Sequence, residues 1–168
     1  PASRAAPAAG DGAEAGVEIA GACPAFEKIL AARSETPAFS SLPEGFSLKP
    51  GIACRPADRQ VTLHTMGAST DVGFTGYECV YYDRPGTAEA TGWEVWTGVL
   101  EDIAACFGGD WTIYSESQVG EPGPVRRMYV ERDPEFAKVK RFEGDIAPIQ
   151  FEWSQEEGQK VTVFVLAP

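Results

Sequence analysis

Four cysteines, Cys23, Cys54, Cys79 and Cys106, stand beside a single histidine, His64, in a chain of 168 residues. Four thiols could ligate a metal or exchange electrons. Structural zinc takes its cysteines as close pairs, and thioredoxin-like exchange needs two thiols on one turn. No C-x-x-C pair occurs here. An even number of well-separated cysteines reads instead as two disulfides. Disulfides persist in oxidising spaces, so a periplasmic or extracellular location is expected, with no metal and no cofactor. Three pairings are possible. Cys23–Cys54 and Cys79–Cys106 are favoured, since each closes a moderate loop worth roughly 3–4 kcal/mol. In the second, a strand cysteine on the covered side of a sheet would meet a helix cysteine lying across it.

A serine or cysteine triad would have to be built around His64. The histidine alternates within the strand-like run Val61 to Met66, and no G-x-S-x-G elbow accompanies it. It reads as a residue of a sheet surface or rim. Paired carboxylates are the remaining route to acid–base chemistry. Glu78 is the acid of interest, lying among Tyr77, Val80 and Tyr82. Glu101 and Asp102 fall on the outer face of a helix. The phosphate-loop, dinucleotide and calcium-loop patterns are all missing. The expectation is a chain that is not an enzyme, with a carboxylate-based hydrolase as the least favoured alternative.

The formal net charge is −11. Such a surface repels phosphate backbones, so nucleic-acid binding is not expected, and it suits solubility or a basic partner. Hydrophobic residues make up 43%, enough for a core that disulfides reinforce rather than replace. No stretch approaches the roughly 20 apolar residues of a membrane helix. Asn is absent and Ala, Gly and Pro are common, a bias that fits a GC-rich bacterial genome. The first residue is Pro1, not Met, which suggests a processed chain whose signal peptide has been removed.

The elements that must position these residues follow from periodicity. Residues 1–21 lack aromatic side chains and are expected to be a flexible Ala/Gly/Pro-rich tail, with residues 22–168 forming one globular domain. Pro24 suits a first helical turn, and Phe26, Ile29 and Leu30 share a helical face. Pro37 to Pro56 reads as a long loop containing Cys54. Val61 to Met66 and Gly76 to Tyr82 read as strands around a turn region at Gly67 to Gly76. In the second strand Tyr77, Cys79 and Tyr81 take one face, and Glu78, Val80 and Tyr82 the other. A longer helix is expected next, capped by Thr91 with Glu94, burying Trp93, Trp96, Leu100, Ile103 and Phe107, and ended by Gly108-Gly109. Trp111 to Ser117 reads as a strand. Val125 to Arg132 with Lys138 to Phe142, and Ile149 to Trp153 with Lys160 to Leu166, read as two hairpins. The fold class is therefore α+β: a mostly antiparallel sheet of about six to seven strands, with one short and one long helix on one face.

Arg126, Arg127, Arg132, Lys138, Lys140 and Arg141 make one region locally basic on an acidic chain. Tyr129 shares a strand face with Arg127 and would sit beside it, and Tyr82 is the best candidate for an exposed aromatic. Tyr82, Arg126, Arg127, Tyr129 and Arg132 thus form the candidate contact surface. The leading expectation is a non-enzymatic exported domain of inhibitor, immunity or envelope-accessory type, whose partner is another protein. The alternative is a small-ligand carrier with a pocket between sheet and helix, lined by Tyr77, Tyr81 or Trp96.

Overall fold

The computed structural model describes residues 21–119, 124–132, 148–155 and 158–168. The expected tail (apart from Gly21) and the expected strand Lys138 to Phe142 lie outside them. The elements in chain order are α1 (Cys23–Ala32), β1 (Ser47–Lys49), β2 (Ile52–Thr65), β3 (Ala68–Arg84), α2 (Glu89–Cys106), β4 (Thr112–Val119), β5 (Pro124–Glu131), β6 (Ile149–Ser154) and β7 (Gln159–Leu166). The strands form one curled antiparallel sheet in the order β1-β2-β3-β7-β6-β5-β4. The expected α+β class holds. Among the described residues, no helix is long and apolar enough to cross a membrane.

Both helices pack on one face of the sheet. The period-two pattern of β6 and β7 sends Phe151, Trp153, Val161, Val163 and Val165 into a core under them. Phe26 of α1 meets Phe151 and Phe107 edge-on. α1 buries Phe26, Ile29 and Ala32, with Pro24 in its first turn.

The longer helix is present, with two corrections. It begins at Glu89, behind an extended Ala88, and no side chain caps it, so Thr91 is inside the helix. Its inward face is Gly92, Trp96, Val99 and Ile103, while Trp93 and Leu100 lie exposed on its flank. Gly92 explains the rotation. A Cβ there would run into the Gln159 side chain and come within 2.8 Å of Trp153 Nε1. The helix approaches the Trp153 and Gln159 side chains closely at this glycine, with Trp93 to one side of that contact.

β2 and β3 are longer than their residues suggest. The Gly-, Ser- and Thr-rich stretch from Gly67 to Gly76 is strand, apart from its first residue. Only Met66 and Gly67 form the turn, with φ 46° and 83°. Positive φ at both central positions is the turn that matches strand twist. Continuous pairing from Cys54↔Cys79 to Thr65↔Ala68 follows. β3 also bulges at Tyr81, where Val80 pairs with Thr162 but Tyr82 with Val161. The extra residue shifts the alternation. Tyr82 therefore packs toward the helix side with Tyr81, not on the face of Glu78.

The disulfides are Cys23–Cys106 and Cys54–Cys79, which corrects the expected pairing. Cys54 is not in a loop. β2 starts at Ile52, which sets Cys54 directly opposite Cys79, with Cα atoms 4.0 Å apart. Cys106, in the last turn of α2, is left to meet Cys23 at the start of α1. All four thiols are used. Two disulfides fit an oxidising compartment.

Candidate functional site

The residues singled out for contact are distributed over both sheet faces. On the helix side, the Arg126 guanidinium lies 4.9 Å from the ring centres of both Trp93 and Trp153. Trp153 is buried and Trp93 is 49% exposed, so the arginine is sandwiched at the surface edge of the core. α2 lies over β3, β7 and β6. The same face of β5 and β4 has no described helix above it. The flank of α2 therefore forms a shelf with those strands. Trp93 and Leu100 (37% exposed) come from the helix and Ile113 (38% exposed) from β4, with Arg126 at one end. Arg132 stacks on Trp111 at 5.2 Å, beside a second cavity of about 390 Å³ next to the Cys23–Cys106 bond.

Tyr82 is half-buried, and its hydroxyl donates to Thr87 Oγ1 at 3.2 Å. It belongs neither to the shelf nor to the opposite face.

The helix-free face holds the other candidates. Tyr129 is fully buried there and stacks on Tyr114 at 5.1 Å. The Tyr114 hydroxyl donates to Glu131 Oε1 at 3.2 Å. Arg127 donates its Nε–H to Glu152 Oε2 at 2.9 Å. Arg59, from β2, reaches across the curled sheet to the same Glu152 oxygen (3.3 Å) and to Gln150 Oε1 (3.0 Å), passing over the Phe164 ring. Gly76 leaves room for the Phe164 ring itself, since a Cβ there would come within 2.5 Å of it.

Of these groups Arg59, Glu152 and Phe164 line an open polar cavity of about 620 Å³, together with Thr162. Glu78, the carboxylate of interest in the sequence, lines it together with Glu152. Each acid is held by arginine: Glu78 by Arg55 at 3.1 Å, Glu152 by Arg59 and Arg127. Both carboxylates thus serve as acceptors in an ion-paired network.

The space between sheet and helices is packed. Tyr77 stacks on Phe39, and Trp96 lies against Trp153, both buried. Tyr81 donates its hydroxyl to Asp102 Oδ2 at 2.9 Å, an oxygen that also takes Lys49 Nζ at 2.7 Å. Burial first, and the Asp102 charge second, hold the Tyr81 phenol well above its ordinary value. Asp102, read in the sequence as an outer-face residue, thus ties α2 to β1 and β3. The 620 Å³ cavity lies on the other side of the sheet. Among the described residues, no cluster of His, Cys, Asp and Glu could hold a metal ion.

A third feature had no sequence signal. β3 pairs with β7 from Gly76 onward, and Thr75 accepts one further bond, from Ala167 N–H. The remainder of β2 and β3 runs on as a two-stranded arm with Met66 fully exposed at its tip. His64 sits on this arm, in register with Ser69.

No protein-family profile matches the chain, and neither a curated protein nor a solved structure matches it.

Proposed function

We propose that this chain is a non-catalytic domain of the periplasm or the extracellular space that binds another protein, as inhibitors, immunity proteins and envelope accessory proteins do. The observation that carries the reading is the exposed Trp93 stacked with Arg126 over a buried Trp153. Trp and Arg are the residue types that dominate binding energy at interfaces, above all where a rigid base already orders them. The shelf beside them is apolar, and the Arg126 cation stands at one end of it. The complementary surface is an apolar patch carrying a carboxylate.

The test is a photo-crosslinking amino acid at position 100 on the shelf, with position 94 as the control. In the extracytoplasmic fraction of the source organism, one discrete adduct is expected from position 100 and none from 94. Trp93→Ala should remove it. Equal labelling from both positions, or an adduct indifferent to Trp93→Ala, would end this reading.

A second reading rests on the 620 Å³ cavity, which has the volume of a small-ligand site. Its lining is polar and ion-paired, so it suits a polar ligand, and it differs from the aromatic-lined pocket expected between sheet and helix. A hydrolase built on Glu78 and Glu152 would need one of them released from its arginine.

A further inference from the structure

The outer edge of β2 has a definite hydrogen-bonding parity. Thr65 and Ala68 flank a two-residue turn, so they form a hydrogen-bonded pair, and every second pair back along the ladder does the same. The residues between, Cys54, Pro56, Asp58, Gln60, Thr62 and His64, turn their backbone N–H and C=O groups away from β3. Two observations agree. Cys54 N–H bonds outward to Phe46 O at 2.8 Å, and Pro56, which has no N–H, falls where none is needed.

Beyond Pro56 the edge is bare of described strands. β1 covers β2 only at Ile52 and Ala53, and no described strand lies against residues 58–65. Sheet edges are ordinarily blunted by lysine, proline or a bulge. From Gln60 to Thr65 the chain has neither lysine nor proline, and the register runs unbroken. An arm of two strands is marginal alone in water and is stabilised by a third.

We propose that the third strand is β2 of a second copy of this chain, paired antiparallel about a two-fold axis at Thr62. The edge is self-complementary in this arrangement. Thr62 faces its own counterpart, and Gln60 of one copy faces His64 of the other. About six backbone hydrogen bonds result, two at each outward pair. Charge selects this occupant. The chain carries −11, yet residues 58–75 contain only Asp58, Arg59 and Asp71 as charged groups, and none lies between 60 and 65. A foreign basic strand would find nothing there to recognise. From Thr75 to Ala68 the arm extends roughly 25 Å, at about 3.4 Å per residue. That exceeds the Debye length of about 8 Å at physiological salt, so two acidic bodies joined arm to arm scarcely repel.

Sedimentation of the whole chain from about 1 µM to about 1 mM should show monomer giving way to dimer. Thr62→Cys should form a copy-to-copy disulfide, with both native bonds intact by mass, while Asp71→Cys on the neighbouring strand should not. Thr62→Pro keeps the ladder to β3, since its N–H points outward, and should weaken dimerisation at least about tenfold. The double variant Gln60→Lys, His64→Lys, which sets cations opposite one another across the axis, should do the same without a proline. Trp93→Ala should leave dimerisation unchanged, which keeps this result separate from that of the shelf. A chain that stays monomeric at the highest concentration overturns the proposal. So does a dimer that tolerates the double lysine variant, or one that crosslinks equally from position 71.

Discussion

Met66 holds a left-handed backbone conformation that costs an ordinary residue about 1–2 kcal/mol. Its side chain lies fully in water and offers nothing in return within the chain. Met66→Asn, the residue this turn prefers, should raise stability by about 1 kcal/mol in denaturant unfolding, with m unchanged. Gly92 is the opposite case. Gly92→Ala improves helix propensity but drives a methyl into the Trp153–Gln159 hydrogen bond (2.7 Å), and should cost about 1–3 kcal/mol. At Tyr81 the argument is one of pH. Folding raises the phenol above its unfolded value of about 10. The neutral form is therefore favoured in the folded state, and its stabilisation is complete below about pH 10. It is lost as pH rises beyond that, because the unfolded chain can ionise and the folded one resists. The unfolding midpoint should fall above about pH 10, and Tyr81→Phe should flatten the fall. Side-chain roles of this kind were only half legible in the sequence. Trp96 and Ile103 were recognisable as core from their spacing. Trp93 was not recognisable as surface, because spacing alone does not say that a glycine one residue earlier faces the core.

Elements were more legible than their partners. Both helices, and the hairpin of β6 and β7, follow from periodicity and turn residues. The β2–β3 arm does not, since its second strand is built of residues that favour turns, and pairing with β2 overrode that preference. The cysteine connectivity was hidden for the same reason. With β2 unrecognised before Val61, Cys54 looked like a loop residue, and its true neighbour in the ladder could not be seen. The two bonds should differ in weight. Cys23–Cys106 spans 83 positions and Cys54–Cys79 spans 25. By loop-closure entropy they contribute about 4.6 and about 3.5 kcal/mol. The second joins strands already paired, so part of its constraint is redundant. Replacing Cys23 and Cys106 with Ala should lower the unfolding midpoint more than replacing Cys54 and Cys79, as measured by thermal or denaturant titration.

Across the whole molecule the sheet has two different faces. One is a dry core under two helices. The other is a polar hollow in which Arg59 and Arg127 share Glu152. Glu152→Gln would leave two part-buried cations against a neutral amide, and should cost about 1–3 kcal/mol. The loss should persist in high salt, since a part-buried pair is poorly screened. The basic region recognised in the sequence was real as composition, but strand alternation divides it between the two faces. Arg126 went to the tryptophans and Arg127 to the hollow.

Among the described residues, β7 lies between β3 and β6 and supplies the one backbone link between the β1–β3 and β4–β6 halves of the sheet. Until that strand leaves the ribosome, the halves share no ladder, and Val163 is missing from between Cys79 and Phe151. A chain built this way stays open as two separate ladders until β7, which follows both strands that it joins, has been made. Export in the unfolded state would meet no prematurely locked sheet.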